Sequence, residues 1–299
     1  MPAAMSAAAS TADLESLRRH ALDLVNRARH DEGLGPLMLR PAANAAAQAH
    51  ADDMLARGYY SHTAPSGATV IDRYQQAGGS TSHLAAENIA RCATCQPPSI
   101  GASVEALHEG WMQSPLHRDN ILRRGVTAFG FGIAASAERG LYAVQVFAGP
   151  GQPHDLQPGE AATPLDPETQ WRTALAQVNR LRREAGRPPL ESSQTLVVAA
   201  QALLPSESEA FSLTGRDLYA ALPEGERRSW RSLAVLGAAC GGCGEAPAAA
   251  DIRDFAQRWR NDEGYRVTLL AAGATHFGFA MAANGEGRKL GVAVIGTRR

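Results

Sequence analysis

The chain has 299 residues, 44% of them hydrophobic and 20% charged, with 29 basic against 30 acidic side chains and a formal net charge of -1. That balance excludes a disordered polyelectrolyte and leaves no electrostatic case for nucleic acid as a partner, and no apolar run approaches the roughly 18 residues needed to cross a bilayer. The length suits two domains of roughly 130 to 150 residues better than one core.

In chain order, the opening MPAAMSAAASTADLE lacks the basic start and apolar stretch of a secretory signal. Residues 1–13 therefore read as a disordered tail, and an exported protein would carry its signal outside this sequence. Leu14, Leu17, Ala21, Leu22, Leu24 and Val25 recur at helical spacing, with a stop near Gly33 and Pro36. Pro41 to Arg57, opened by proline and closed by Gly58, predicts a second helix, and Val104 to Met112 a third that ends before Pro115. Phe129, Phe131 and Ile133 then alternate with glycines, and Tyr142, Val144 and Val146 alternate with Ala143 and Gln145, which is strand periodicity around a turn. Helices followed by an antiparallel pair make an α+β unit.

After GPGQPHDLQPGEAATPLDPET, a Pro- and Gly-rich stretch expected to be a linker over residues 151–169, the pattern begins again. Val25, Asn26 and Arg27 fall on Val178, Asn179 and Arg180, Pro36 and Leu37 on Pro189 and Leu190, and Gln48 on Gln201, without gaps. Further on, at a second constant offset, Cys92 and Cys95 fall on Cys240 and Cys243, Trp111 on Trp259, and AFGFGIA on HFGFAMA. The expected organisation is a domain over residues 14–150 and a divergent duplicate over residues 170–299. The CxxC pairs leave three readings open: local disulfides Cys92–Cys95 and Cys240–Cys243, four thiolates on one zinc, or a redox dithiol, for which Arg91 is the one basic neighbour.

YYSHTAPSG around His62, AENIA around Glu87, WMQSPLHRDNIL around His117, then FGFGI and YAVQVF, closely resemble the bacterial branch of the CAP superfamily. This superfamily of SCP-like domains contains the cysteine-rich secretory proteins, antigen 5 and the pathogenesis-related 1 proteins. The resemblance implies two tandem α-β-α sandwiches, the second divergent, in a family whose central cleft gathers two His and two acidic side chains and in some members holds a divalent metal. Carried across, the two His fall on His62 and His117 and the first acid on Glu87. The second acid, three positions after the helical Trp, is replaced by Ser114. Glu109, the nearest other carboxylate, lies about 140 degrees around the helix from that position.

His62, Glu87, Ser114 and His117 are thus the candidate cavity residues, with His62 and His117 as candidate metal ligands and zinc or another divalent cation as the cofactor such chemistry suits. In the second copy Leu213, Val235 and Tyr265 fall on His62, Glu87 and His117, so that copy reads as a pseudo-domain without the polar cavity. The bland readings are that His50 packs or hydrogen-bonds, Asn88 satisfies a turn, Tyr60 and Trp111 line the core or cleft wall, and Arg118, aligned with Arg266, is structural. Ser114 lacks the context of a nucleophilic serine. Three functions follow as expectations. The first is an exported, periplasmic or secreted protein binding a ligand or partner through the first cavity. The second is a metal-dependent hydrolase or peptidase using His62, Glu87 and His117, as proposed for some relatives. The third is a structural cell-envelope protein. A small ligand, a lipid or a cell-envelope protein would be the partner.

Overall fold

A computed structural model describes residues 11–95, 100–205 and 211–299. It divides into two compact units, residues 1–151 and 152–299. The expected tail lies outside the described residues as far as position 10, and helix α1 begins at Thr11 and runs to Asp31.

The first unit continues with β1 (Met38–Leu39), α2 (Pro41–Arg57), α3 (Val70–Gln76), β2 (Leu84–Cys92), α4 (Ile100–Gln113), α5 (Pro115–Ile121), β3 (Ala128–Ser136) and β4 (Gly140–Gly149). The strands form one sheet in the order β1-β3-β4-β2, parallel between β1 and β3 and antiparallel elsewhere. Alternation along β4 assigns its two faces. Tyr142, Val144 and Val146 pack with Ala43, Ala47 and Met54 of α2, whereas Leu141, Ala143 and Phe147 pack with Val25 of α1 and Trp111 of α4. A sheet covered on both faces by helices is an α-β-α sandwich.

The alanines of α2 and the glycines of β3 belong to one close approach. A Cβ on Gly130 would lie 2.1 Å from the Ala43 carbonyl carbon, and one on Gly132 2.3 Å from that of Ala47. Only glycine lets the helix backbone come this near the sheet.

The second unit repeats the plan with α6 (Pro167–Glu184), β5 (Glu191–Ser192), α7 (Gln194–Leu203), β6 (Trp230–Cys240), α8 (Ala249–Asn261), α9 (Glu263–Leu269), β7 (His276–Ala283) and β8 (Lys289–Arg298). Its sheet order is β5-β7-β8-β6, the same order as in the first unit. Two polar devices recur in place. Asn26 bonds both backbone groups of Leu37, at 3.0 and 2.8 Å, as Asn179 does those of Leu190, at 2.9 and 2.7 Å. The buried guanidinium of Arg29 donates to the carbonyls of Gly35, Ile121 and Arg123, and that of Arg182 to those of Pro188, Leu269 and Ala271. Each arginine thereby satisfies carbonyls at the end of the last helix of its unit, α5 or α9, which the helix itself leaves unpaired. The connecting segment has no regular structure up to α6, but Arg253 of α8 holds it through Asp155 and Glu160.

Candidate functional site

Strand β2 is an edge strand, and its alternation sends Glu87 toward the α2 layer and Asn88 toward the α4 layer. The sequence reading puts Asn88, next to Glu87, in a turn. Both residues instead lie within the strand, opposite Val146 and Gln145 of β4, because the whole of Leu84–Cys92 is laddered to β4.

The Glu87 carboxylate, 2% exposed, has both oxygens engaged. Oε1 accepts from His62 Nδ1 at 2.9 Å and Oε2 from the Arg73 guanidinium at 2.8 Å. An ionised carboxylate can only accept, so the His62 proton sits on Nδ1 and the Nε2 lone pair is left for a ligand. The His62 side chain is 57% exposed. Arg73, on α3, also donates to the carbonyls of His62 and Ala68, which fixes the loop that carries His62. Its Nε–H is buried with no partner among the described residues. Sequence reasoning missed Arg73: nothing in VIDRYQQ marks one residue of a short helix as the counter-ion of a strand residue.

His50 is fully buried on α2, and its Nε2–H donates to the Ser61 carbonyl at 2.9 Å. Burial pushes its pKa down, against the opposing pull of Glu87, whose Oε1 lies 3.9 Å away. This is the hydrogen-bonding role expected of it, and it braces the loop just before His62. Tyr60 donates to the Ile89 carbonyl, which also accepts from Trp111, so both act as walls.

On the other face Asn88 donates to the His117 carbonyl and to Gln145, each at 3.1 Å, and accepts from Asn120, which also bonds the Glu87 carbonyl. This buried amide network fixes α5, which carries His117 on its first turn. The His117 pKa is lowered, first by burial and then by the neighbouring His62. The imidazole is therefore neutral at pH 7 with a lone pair to offer. Ser114 is the N-cap residue of α5 with no side-chain cap bond, and none of the cluster's hydrogen bonds described above reaches it. Arg118 pairs with Glu32 at 2.5 Å and takes no part.

His62 and Glu87 are thus bonded, and His117 is within electrostatic reach of His62. The three do not form a set of ligand atoms all within 4.8 Å of one another; among the described residues that description belongs to Cys240, Cys243 and Asp251 in the second unit. A recess of about 550 Å³ in the first unit lies along α1 and the loop after it, lined by Asp23, Arg27, His30 and Pro36, and shares no residue with the cluster.

The cysteines are paired as Cys92–Cys95 and Cys240–Cys243, so zinc shared between four thiolates is not the arrangement. At the positions of the polar cluster the second unit is apolar. Val235 and Leu236 face Val294 and Ala293, where Glu87 and Asn88 face Val146 and Gln145. Leu213 packs against Gly237, and Tyr265 against the core. One acid went unnoticed: three positions after Trp259 stands Asp262, where the first unit has Ser114, and its carboxylate caps α9 by accepting from the Tyr265 N–H at 2.9 Å.

The family model described as the cysteine-rich secretory protein family, CAP, matches residues 22–147 and 175–296. An uncharacterized protein of Bacillus subtilis, YkwD, is 28% identical over 123 residues, 41% of this chain and 44% of that protein. Among solved structures, an extracellular protein containing an SCP domain from Bacillus anthracis is 28% identical, with 48% of this chain and 44% of that chain covered and a TM-score of 0.37. An outer surface protein from Borrelia burgdorferi is 16% identical, with 48% and 98% covered and a TM-score of 0.39. The chain spans less than half the length of the first two relatives.

Proposed function

As this chain belongs to the cysteine-rich secretory protein (CAP) family, with one match in each half, we propose that it is an exported binding protein whose first domain takes a divalent cation on His62 and His117. The observation that carries this reading is the Glu87–His62 bond. A carboxylate that accepts Nδ1–H orients an imidazole and raises the basicity of its Nε2, the usual outer partner of a metal-bound histidine. His117, neutral and held by the Asn88 network, is the second ligand. Two imidazoles fit zinc, with water or a partner's groups completing the coordination. When bound, the cation would supply a Lewis-acid anchor for a ligand. Within the chain, Glu87 accepts from His62 Nδ1–H and Arg73 pairs with the other carboxylate oxygen.

Glu87 is then a positioning residue rather than the base of a hydrolase. A hydrolase using Glu87 as base would need the carboxylate freed from both Arg73 and His62 while buried, where an unpaired charge is strongly disfavoured. The second domain serves as a pseudo-domain, with valine and leucine where the first has the charged and amide groups. Export is supported by the two disulfides, which persist in oxidising compartments, and by the secretory character of the family.

Zinc titration of the full chain by calorimetry, in wild type, His62→Ala, His117→Ala and Glu87→Gln, tests this. Both His variants should lose binding, and Glu87→Gln should weaken it by about 10- to 100-fold, as outer-shell changes do. Equal zinc uptake by wild type and by both His variants would refute the reading.

A further inference from the structure

The two CxxC disulfides occupy equivalent places but different surroundings. Across the strands, Cys92 of the first unit is paired with Leu141, and Cys240 of the second with Lys289. Eight positions before the helical tryptophan stands Ser103 in the first unit and Asp251 in the second. Asp251 and Lys289, 1% and 0% exposed, form an ion pair at 2.6 Å directly behind the Cys240–Cys243 bond. A carboxylate oxygen of Asp251 lies within 4.8 Å of both sulfurs. Burial pushes the Asp251 carboxyl up and the Lys289 ammonium down.

Packing does not require this pair. Buried ion pairs stabilise weakly, and apolar side chains of similar volume commonly do as well or better. The first unit shows this with Leu141 at the position of Lys289. Asp251 is moreover incompletely satisfied. Oδ2 accepts from Lys289 and from the Ala248 N–H, whereas Oδ1 is buried without a partner among the described residues. The Cys243 sulfur also lies 3.2 Å from the Gly287 carbonyl oxygen. Both oxygens are acceptors that a disulfide cannot use and that a thiol can. Cys243 is 1% exposed, whereas Cys240 is half-buried at the strand end beside exposed Gly241.

We propose that Cys240–Cys243 is a redox-active disulfide that exchanges with external thiols, Cys240 being the sulfur attacked and Asp251 an acceptor for the resulting Cys243 S–H. In the first step a thiol R–SH, as its thiolate, bonds to Cys240 Sγ while the Cys240–Cys243 bond breaks. The electron pair goes to Cys243 Sγ, which takes up the proton released by the thiol and becomes Cys243–SH, leaving R–S–S–Cys240. A second R–SH attacks the R sulfur, releases R–S–S–R and leaves Cys240–SH. Two thiols are oxidised and one disulfide is reduced. Cys92–Cys95, which has no carboxylate grouped with its sulfurs among the described residues, is the structural counterpart.

The test equilibrates the full chain in glutathione buffers containing EDTA, quenches with acid, alkylates, and reads each pair separately by peptide mass spectrometry. Cys240–Cys243 should be half-reduced at a [GSH]²/[GSSG] ratio at least about tenfold lower than Cys92–Cys95, which corresponds to about 30 mV. In Cys243→Ser, a glutathione mixed disulfide should accumulate on Cys240. Replacing the ion pair together, Asp251→Leu with Lys289→Met, should remove the difference between the pairs without stranding a charge. Coincident midpoints in the wild type, failure of Cys243→Ser to trap glutathione, or a gap that survives the double replacement would each overturn the proposal. If the double variant does not fold, the first two results decide.

Discussion

Glu87→Gln separates the positioning role of this residue from a merely architectural one. The substitution keeps shape and removes one charge of a buried pair whose partners are 2% and 9% exposed. Removing one member of such a pair costs about 3 to 5 kcal/mol, because the other charge is stranded away from water. Glutamine still offers Arg73 an acceptor, so the lower end, about 3 kcal/mol, is expected. Replacing both groups, Glu87→Leu with Arg73→Met, should return the domain to within about 1 kcal/mol of wild type, since no charge is then left unpaired. Denaturant-dependent amide exchange over residues 84–92 in the full chain reads this locally, without assuming that both domains unfold together. A loss under about 1 kcal/mol for Glu87→Gln, or a double variant no more stable than the single, would show that the ion pair does not hold the strand edge.

Gly130→Ala should destabilise the first domain by about 1 to 3 kcal/mol as α2 is pushed off the sheet, seen as a lower urea midpoint for peptides of α2. Gly35→Ala, with nothing near the new methyl, is the matched control. His108, buried without a partner for Nδ1 among the described residues, has its pKa pushed down to about 4, by burial first and then by Arg27. The unfolded chain therefore binds this proton more readily, so the contribution to stability is complete above about pH 6.5 and is lost as the pH falls toward 4, at up to about 1.4 kcal/mol per unit. His108→Leu should flatten that slope in urea melts at about pH 7.5 and about pH 5, on either side of the ordinary histidine pKa, and an unchanged slope would count against the assignment.

Much of the framework was legible because it follows from period and punctuation. The spacing in α1, the proline and glycine bounding α2, and the glycine alternation of β3 are direct signatures of one covered face or one close approach. The duplication was legible for a different reason: Asn26 and Asn179 make the same two backbone bonds, so the same residue is needed twice. Strand β2 escaped because its centre is Glu87-Asn88, and two buried polar residues look like a loop when their partners are unknown. Those partners, Arg73, Asn120 and Gln145, lie 14, 32 and 57 residues from the groups they bond. No local pattern encodes such pairings. Comparison of the copies carried part of the signal, since Asn88 and Gln145 become Leu236 and Ala293 together. The same comparison, applied to Leu141 against Lys289 and Ser103 against Asp251, marks the second disulfide.

In each sheet the strand made last, β4 or β8, lies inside, between one neighbour made just before it and another made much earlier. Until residue 140 has been synthesised, β2 has no ladder partner, and the strand bearing Glu87 waits unpaired. A ribosome paused inside the first domain therefore presents a half-built sheet with an open slot at its middle, a natural target for chaperones and for strand exchange between nascent chains. A frameshift or truncation that removes the closing strand should abolish its domain outright rather than trim it.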